Sequence, residues 1–372
     1  MNIGFDAKRF FHNRRGLGNY SRDTIRLLSA YYPDNNYLLF NPSIKNCVPN
    51  ILNSNTTMVI PDTIIGKAIP SWWRTFGMKH DFVSKKLDIY HGLSQELPVG
   101  IEKTGVKTVV TMHDAIFMRY PELYSCTYRQ FFIRKNRYAC RVADRIIAIS
   151  EQTKRDMMSY FDADEAKIDV VYQGCNAIFR QPASDSDKQQ IRQKYQLPQQ
   201  FLLTVGAIEK RKNAEVIIKA LHAERITIPF VLVGAPTDYV KDLKQLVRQY
   251  NMEQQVIFLH YVASDELPAI YSMASLFVYP SVFEGFGIPV LEALCVGTPV
   301  VASTGTCFEE VGGTAAHYVN PHDVEQWATE IKHLLTDDWV CQNMRQDGLS
   351  RSELFVDKSV AKSLMAVYEK LI

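Results

Sequence analysis

Two glutamates eight residues apart flank a glycine-rich turn in the second half of the chain, which reads YPSVFEGFGIPVLEAL from Tyr279 to Leu294. The pattern predicts a strand, a turn and a helix. The amides of such a turn can receive phosphate oxygens. Glu284 and Glu292 would border one cavity at the carboxyl end of the strand, where carboxylates suit sugar and ribose hydroxyls. For an isolated pair of glutamates, a helix cap and a solvated helix residue would be the ordinary interpretation.

A similar pattern of strand, turn and helix start lies earlier in the chain, before the segment 279–294. It reads VGAIEKRKNA from Val205 to Ala214. Arg211 and Lys212 fall at the predicted helix N-terminus, where cations are unfavourable unless an anion binds there. Together with Gly206 they predict a clamp for a diphosphate. A solvated basic turn is the alternative, but it explains neither Gly206 nor the matching position of the two turns.

A glycine-rich turn also follows the first predicted strand, and it contains Gly16 and Gly18. The turn leads into a helix, for which Asn19 or Ser21 would be the N-cap. An ordinary strand-to-helix turn would account for this pattern, because a single Gly-x-Gly has little specificity.

A histidine that could contact a ligand follows the strand predicted at 108–112. His113 lies at the carboxyl end of that strand, the side where ligands bind in open α/β sheets. Asp114 would orient the imidazole or cap the next turn. His91 ends the preceding strand and is a candidate on the acceptor side.

The candidate residues named above follow different predicted strands, so they can form one site only if the fold brings the ends of these strands together. Short runs of β-branched and aromatic residues recur in both halves, separated by amphipathic stretches of helical length, which predicts parallel-sheet α/β units. Both halves are therefore predicted to be doubly wound. The strands are predicted at 3–5, 37–40, 57–60, 88–91, 108–112, 145–149 and 169–172, and then at 201–205, 230–234, 256–259, 276–279 and 300–303.

The length of 372 residues predicts two domains, since single cores seldom exceed roughly 250–300 residues. The polar, proline-bearing stretch 180–187 indicates a linker. We place a first domain at 1–180 and a second domain at 181–355. After a break near Gly348, a last amphipathic helix at 356–372 would pack back on the first domain.

The composition excludes several classes of protein. A chain with 47% hydrophobic and 22% charged residues is typical of globular proteins, and a net charge of +2 argues against nucleic acid as a partner. The seven cysteines are scattered without a Cys-x-x-Cys pair, which favours a reducing compartment. No secretion signal and no apolar run of about 20 residues is present. We therefore expect a cytoplasmic location.

A basic amphipathic helix is predicted at 128–142, with Arg134, Arg137 and Arg141 on one face. Basic clusters attract anionic lipid headgroups, and the sequence Trp72-Trp73-Arg74 would supply amphipathic anchors. Peripheral contact at the inner face of the cell membrane is therefore a hypothesis. A core-facing helix with a solvated rim is the alternative.

The two turns of the second half together resemble the pattern of glycosyltransferase family 4. The likeness extends from the first strand to the last helix, and it rests on Gly206, Arg211-Lys212-Asn213, Pro280-Ser281, Glu284-Gly285-Phe286-Gly287 and Glu292-Ala293. It implies the GT-B architecture, in which two Rossmann-like domains face each other across a cleft, here an acceptor domain at 1–180 and a nucleotide-sugar donor domain at 181–355. It also implies retention of anomeric configuration and a reaction without a metal.

The resemblance assigns roles to the candidate residues. Arg211 and Lys212 would bind the donor diphosphate, Glu292 the ribose hydroxyls, and residues 260–262 the base. His113 would lie beside the transferred sugar as a catalytic residue, and the turn of Gly16 and Gly18 near the diphosphate. Glu284 would hold the transferred sugar and would also be a catalytic residue. The turn that follows it would hold the sugar as well, and this turn consists of Gly285, Phe286, Gly287 and Ile288.

We therefore expect a retaining, metal-independent glycosyltransferase without a cofactor, which moves mannose from GDP-mannose, or a hexose from a UDP-hexose. The acceptor would be a glycan or a lipid-diphosphate-linked glycan of bacterial surface polysaccharide synthesis. The triplets at 162–164 and 185–187 resemble metal-binding Asp-x-Asp sequences, but no further oxygen ligands lie near them. A nucleotide-sugar epimerase or hydrolase of the same fold, and a non-catalytic nucleotide-sugar-binding protein, remain alternatives.

Overall fold

The computed structural model describes residues 1–45, 47 and 53–372, which form two compact units. The first unit comprises Met1–Gly174 together with Asp357–Ile372, and the second comprises Cys175–Val356. Each unit contains its own parallel sheet. The predicted α/β class with two doubly wound sheets is confirmed.

The first unit is built on a seven-stranded parallel sheet in the order β3-β2-β1-β4-β5-β6-β7. Every strand predicted for this half is present, because buried parallel strands are continuous apolar runs. The strands are β1 (Asn2–Asp6), β2 (Asn36–Phe40), β3 (Thr56–Val59), β4 (Ile89–Gly92), β5 (Lys107–Met112), β6 (Arg145–Ala148) and β7 (Ile168–Val170). The helices are α1 (Lys8–His12), α2 (Gly16–Tyr31), α3 (Ile64–Ala68), α4 (Pro70–Trp72), α5 (Lys79–Ser84), α6 (Ile116–Arg119), α7 (Cys126–Val142) and α8 (Glu151–Phe161), with a π-helical turn at Trp73–Gly77.

The second unit is built on a six-stranded parallel sheet in the order β10-β9-β8-β11-β12-β13. Its strands are β8 (Leu202–Val205), β9 (Phe230–Val233), β10 (Val256–Leu259), β11 (Leu276–Tyr279), β12 (Val300–Ser303) and β13 (Ala316–Val319). The helices are α9 (Asp185–Tyr195), α10 (Ala214–Ala223), α11 (Tyr239–Gln249), α12 (Leu267–Met273), α13 (Ile288–Cys295), α14 (Phe308–Gly312), α15 (Val324–Thr336) and α16 (Asp338–Ser352). Strand β13 was not predicted from the sequence.

Both sheets reverse their strand order at the same place. In the first sheet β1 lies between β2 and β4, and in the second β8 lies between β9 and β11. Ligands of open α/β sheets bind beyond the carboxyl ends of the strands at such a reversal. The two glycine turns of the second half follow β8 and β11, so the topology brings them together.

The prediction of a linker at 180–187 is wrong for residues 185–187, which belong to a helix. Ser184 accepts a hydrogen bond from the amide of Asp187 and caps α9, which begins at Asp185. Acidic residues in the first turn and a serine cap stabilise a helix N-terminus, and this outweighs the polar character that suggested a linker.

Two other local predictions are also wrong. Helix α2 begins at Gly16, before Asn19 and Ser21, so neither residue is its N-cap. Gly348 does not break a helix but lies inside α16, where a Cβ atom would be 3.1 Å from Leu294 Cδ2. The close packing of α16 on α13 explains why a glycine occupies that position.

The last helix, α17 (Asp357–Glu369), belongs to the first unit and packs against α2. Arg26 of α2 forms an ion pair with Asp357 at 2.7 Å. The hydroxyl of Tyr368 lies 2.7 Å from Nδ1 of His91 on β4. The buried face of α17 consists of Val360, Ala361, Leu364, Met365, Val367 and Tyr368.

Truncation of this face tests the packing of α17. We expect Leu364→Ala to lower the free energy of unfolding by about 2–5 kcal/mol, because Leu364 is fully buried and its removal leaves a cavity. Lys362→Ala on the exposed face of the same helix is the control and should change stability by less than about 0.5 kcal/mol. Chemical denaturation measures both, and equal stabilities of the two variants would contradict this packing.

Candidate active site

The turn after β8 places two cations beside the sheet. Residues Lys210–Lys212 form a short 3-10 helix, and Asn213 follows in the left-handed conformation at φ 55° before α10 begins. Arg211 and Lys212 therefore precede the helix itself. A Cβ atom on Gly206 would lie 3.6 Å from Lys212 Cε, so the Gly206 backbone borders the lysine side chain.

The turn after β11 brings Glu284 to the same place. Helix α13 begins at Ile288, with Pro289 in its first turn. Gly287 has φ 103°, and a Cβ atom there would lie 2.8 Å from the Phe308 ring. Only glycine fits this position, because both the backbone angle and the space exclude a side chain.

Four side chains converge on one oxygen of the Glu284 carboxylate. Arg211 Nη1 lies 2.9 Å from Oε1, and Lys212 Nζ also pairs with this atom. The hydroxyls of Tyr279 and Ser281 donate to it at 3.1 Å and 2.9 Å. The structure thus brings together the predicted residues Gly206, Arg211, Lys212 and Glu284 around a single carboxylate, which we call the Glu284 cluster together with Tyr279 and Ser281.

Burial would raise the pKa of Glu284, but the charges of Lys212 and Arg211 outweigh it and lower the pKa to about 2. The carboxylate is therefore ionised at all physiological pH values. With a pKa this low and Oε1 occupied by donors, Glu284 is a weak base.

Glu292 lies in a different electrostatic environment from Glu284. Its Oε2 accepts a hydrogen bond of 2.8 Å from the hydroxyl of Tyr271 on α12. Burial raises the pKa of Glu292 to about 7, and the hydrogen bond from Tyr271 offsets only part of this shift. Near neutral pH the carboxyl group is thus present both protonated and ionised, and it can donate to or accept from a hydroxyl.

Three residues of this site were not predicted from the sequence. Tyr279 and Ser281 were quoted in the motif without a role, although their position directly at the end of β11 was a usable indication. Tyr271 lies 21 residues from Glu292, and nothing in the sequence connects the two. Phe286 was predicted to hold the sugar through its backbone amide, and this stays a prediction; its side chain is buried and packs on Phe355, with the ring centroids 5.9 Å apart.

The region predicted to receive a base lies at the carboxyl end of β10. His260 Nδ1 is 2.9 Å from the carbonyl oxygen of Gly234, which follows β9. Tyr261 adopts φ 62° and is 86% exposed. An exposed aromatic ring on a left-handed residue is available for stacking, and base recognition here stays a prediction.

In the first unit, His113 is buried at the carboxyl end of β5. Its Nε2 lies 2.9 Å from the carbonyl oxygen of Leu93 and therefore carries the hydrogen and donates to it, and its ring packs edge-on against Tyr20 at 4.7 Å between centroids. Burial lowers the pKa of His113 to about 4, so the imidazole is neutral and its Nδ1 carries a lone pair. Asp114 caps the next turn by accepting a hydrogen bond from the amide of Ile116.

His91 is a structural residue and not a ligand-facing one. Both ring nitrogens are occupied, Nδ1 by the Tyr368 hydroxyl at 2.7 Å and Nε2 by Thr111 Oγ1 at 2.8 Å. Burial lowers its pKa to about 3. The earlier assignment of His91 to the acceptor side is therefore wrong.

The two glycines of the first turn differ in their roles. Gly18 lies in the first turn of α2, where a Cβ atom would be 1.8 Å from the carbonyl oxygen of Asn13. The close approach of two backbone segments explains Gly18 without a ligand. A Cβ atom on Gly16 would meet nothing within 4 Å. A ligand contact at either glycine stays a prediction.

The proposed membrane anchors at 72–74 are wrong for two of the three residues. Trp73 is buried and donates to Asp81 at 3.1 Å, and Arg74 forms ion pairs with Asp6 and Glu96. Only Trp72 is exposed. Within the described part of the chain, no helix is long and apolar enough to cross a membrane.

The aspartates of the two Asp-x-Asp triplets lie at helix ends. Asp162 ends α8 in the left-handed conformation, and Asp164 accepts from the amide of Ala166. Asp185 and Asp187 lie in the first turn of α9. Among residues 1–45, 47 and 53–372, no three His, Cys, Asp or Glu side chains are arranged to hold a metal ion.

The raised pKa of Glu292 predicts how stability depends on pH. Between pH 4.5, the usual pKa of a glutamate, and about 7, the folded protein keeps a proton that the unfolded chain has lost, so the free energy of unfolding falls as pH rises through that window. We expect Glu292→Gln, which stays neutral, to have a free energy of unfolding relative to the wild type that is higher at pH 8 than at pH 5, by at most about 3 kcal/mol, measured by chemical denaturation at both pH values. The exposed Glu253→Gln is the control, and a pH-independent difference between Glu292→Gln and the wild type would contradict the raised pKa.

Two family models match the chain. Residues 187–351 match the glycosyl transferases group 1, and residues 59–177 match Glycosyltransferase Family 4. The first match contains the whole Glu284 cluster and Glu292.

Individual proteins show the same relationship. The O-antigen chain mannosyltransferase RfbU of Salmonella typhimurium is 31% identical over 290 residues, covering 77% of this chain and 75% of the relative. The O-antigen chain mannosyltransferase B of Escherichia coli is 30% identical over 288 residues, covering 76% and 74%. The crystal structure of Anabaena Alr3699/HepE in complex with UDP shares the fold, with a TM-score of 0.74, 19% identity and 99% of both chains covered. The chain therefore belongs to the group 1, family 4 glycosyltransferases and is a glycosyltransferase.

Proposed function

We propose that this enzyme is a retaining, metal-independent mannosyltransferase that uses GDP-mannose and acts on a glycan or a lipid-diphosphate-linked glycan. The observation that carries the proposal is the Glu284 cluster, in which Arg211 and Lys212 lie together at the strand-order reversal of the second sheet. Two adjacent cations at this position suit the diphosphate of a nucleotide sugar.

The same cations would stabilise the transition state. Cleavage of the sugar–phosphate bond builds negative charge on the departing diphosphate, and positioned cations reduce the cost of that charge. Arg211 and Lys212 would supply this stabilisation from side chains alone. Retention follows if the acceptor hydroxyl attacks the face that the diphosphate leaves, with a phosphate oxygen accepting the hydroxyl proton.

Glu284 would act through its charge and hydrogen bonds. A carboxylate with a pKa of about 2 suits neither a general base nor a strong nucleophile, which makes a covalent glycosyl intermediate on Glu284 the less favourable variant. It would instead accept hydrogen bonds from the transferred sugar and stabilise the positive charge that develops there. The neutral His113 would accept a sugar hydroxyl at Nδ1 and would not titrate between pH 6 and 8.

The choice of mannose rests on relatives at about 30% identity that are named mannosyltransferases. A UDP-hexose is the second candidate, because the structurally similar HepE was crystallised with UDP. Glu292 would accept the ribose hydroxyls in either case, since both nucleotides carry the same ribose.

We also propose that the first unit contacts the cytoplasmic face of the membrane peripherally, through helix α7. Helix α7 exposes Arg134, Arg137 and Arg141, while Tyr128 and Phe131 on the same helix are 42% and 54% exposed. A basic helix with exposed aromatic side chains suits a surface of anionic lipid.

Donor binding tests the diphosphate clamp. We expect GDP-mannose in EDTA to raise the thermal-unfolding midpoint of the wild type, since ligand at 100 times its Kd stabilises by about 2.7 kcal/mol. The shift should disappear in Arg211→Ala/Lys212→Ala. Lys210→Ala removes an exposed cation of the same turn and is the matched control, which should keep the shift.

The outcomes of this experiment separate the candidate donors and functions. A shift only with UDP-glucose or UDP-GlcNAc would select the UDP-hexose, and a shift that requires added metal would overturn the metal-free clamp. Product that forms only with acceptor identifies transfer, whereas turnover of the donor alone identifies an epimerase or hydrolase. Donor binding without any turnover would indicate a non-catalytic binding protein.

Charge reversal on α7 tests the membrane contact. We expect Arg137→Glu/Arg141→Glu to weaken co-sedimentation with phosphatidylglycerol vesicles at low salt at least about tenfold, since each cation contributes about 1 kcal/mol. Lys358→Glu/Lys362→Glu on α17 makes the same change in net charge at exposed positions and is the control. Equal losses in both variants would show that net charge, and not α7, causes binding.

A further inference from the structure

A series of buried hydrogen bonds in the first unit begins on its last helix. The hydroxyl of Tyr368 on α17 lies 2.7 Å from Nδ1 of His91 on β4, and Nε2 of the same ring lies 2.8 Å from Oγ1 of Thr111 on β5. Thr111 Oγ1 in turn lies 2.9 Å from the hydroxyl of Tyr20 on α2. We call Tyr368, His91, Thr111 and Tyr20 the buried network.

The parallel sheet explains why the buried network ends beside His113. Strands β4 and β5 are neighbours, and His91 lies opposite Val109 in their register. Side chains alternate between the two faces of a strand, so Val109 and Thr111 project from the same face of β5. Tyr20 bonds to Thr111 and packs edge-on against His113, which shows that His113 continues this face beyond the strand end.

The buried network is shielded from water. Tyr368, His91 and Thr111 are fully buried, and Tyr20 is 8% exposed. An unpaired polar group in such an environment is costly, because no water replaces the lost hydrogen bond. The four side chains therefore favour the one arrangement in which each of them keeps its partner.

The hydrogen positions follow from the same requirement. Within the described part of the chain, the Tyr368 hydroxyl has no hydrogen-bond partner other than His91, so it donates its hydrogen to Nδ1. His91 is neutral, because burial lowers its pKa to about 3, and its single ring hydrogen is therefore on Nε2. Nε2 donates this hydrogen to Thr111. Tyr368 thus selects the tautomer of His91.

Two contacts fix the His113 ring, and both are tied to the buried network. The carbonyl oxygen that accepts from His113 Nε2 belongs to Leu93, two residues after His91. The ring of Tyr20, whose centroid is 4.7 Å from that of His113, is held by the bond of its hydroxyl to Thr111. The described residues supply no other hydrogen bond or ring contact to the His113 side chain.

We propose that Tyr368 is a positioning residue for His113, and that through the buried network it holds the imidazole in the orientation that the transfer reaction uses. The proposal rests on the proposed function, because it takes His113 as the residue beside the transferred sugar. Misplacing a reacting or binding group by about 1 Å can lower a rate about a hundredfold. Helix α17 would thus contribute to the reaction rate as well as to stability.

Nuclear magnetic resonance of the ligand-free, full-length protein with isotope-labelled histidine tests the positioning. We expect Tyr368→Phe to change the ring signals of both His91 and His113, because Nδ1 of His91 loses its donor and the network rearranges. Thr111→Val keeps the shape of the side chain and interrupts the network in its middle. It should therefore also change the His113 signals, and it decides the question if Tyr368→Phe does not fold.

Tyr37→Phe is the matched control, because it removes another buried tyrosine hydroxyl of the same unit. The partners of that hydroxyl are the carbonyl oxygens of Leu28 and Tyr32, which are not part of the buried network. The His113 signals should therefore remain those of the wild type.

Donor hydrolysis gives a second measurement on the same variants. GDP release from GDP-mannose without added acceptor should be at least about tenfold slower in Tyr368→Phe than in Tyr37→Phe. The stabilisation caused by GDP-mannose should be equal in the two variants, because the proposed diphosphate clamp is formed by Arg211 and Lys212 of the second unit.

Several outcomes would overturn the proposal. His113 signals that stay unchanged while those of His91 change would show that the network does not reach His113. Equal changes in Tyr37→Phe would indicate a general effect of a lost buried hydroxyl. Changed His113 signals with an unchanged rate of GDP release would refute the role in the reaction. Changed His113 signals in a wild type that neither binds nor hydrolyses GDP-mannose would support the positioning and refute the proposed donor alone.

Discussion

The second unit depends on the pairing of one buried carboxylate with two cations from a distant part of the chain. Glu284 follows β11, whereas Arg211 and Lys212 follow β8, and the parallel pairing of these strands brings the three side chains together. The backbone amide of Val282 donates to the Arg211 carbonyl at 2.9 Å and holds the two turns in register. Removing one partner of such a buried pair costs about 3–5 kcal/mol, because a charge is left uncompensated. The same groups that stabilise the ligand-free turns are therefore those that a diphosphate would engage.

Both sheets carry buried ion pairs at the strand ends where their strand order reverses. In the second unit, Arg211 and Lys212 share the buried Glu284 carboxylate, and Arg211 also pairs at 2.6 Å with Glu209, which is 38% exposed, so a diphosphate would compete with these carboxylates for the two cations. In the first unit, Asp6 at the end of β1 pairs with Arg74, and Glu96 beyond β4 pairs with Arg74 and Lys135.

The sequence allowed the strands, the two glycine turns and the cation–glutamate site to be predicted, because buried parallel strands and strand-to-helix turns have local patterns. It failed where a residue's role depends on distant contacts. Gly348 was expected to break a helix but packs on Leu294, and His91 was expected to face a ligand but bonds to Tyr368. Strand β13 has only four residues, two of them partly exposed, and gives too weak a pattern. Likewise, the pKa of Glu284 is lowered by the charges of Lys212 and Arg211, whereas burial raises the pKa of Glu292, and both environments arise from tertiary contacts.

A crystal structure with GDP bound in the presence of EDTA tests the central claim most directly. If the Glu284 cluster is a diphosphate clamp, phosphate oxygens should lie within about 3 Å of both Arg211 and Lys212, at charge-assisted hydrogen-bond distance. The ribose hydroxyls should contact Glu292, and Glu284 should keep its bonds from Tyr279 and Ser281. A diphosphate bound elsewhere, with the ion pairs of Glu284 unchanged, would contradict the account.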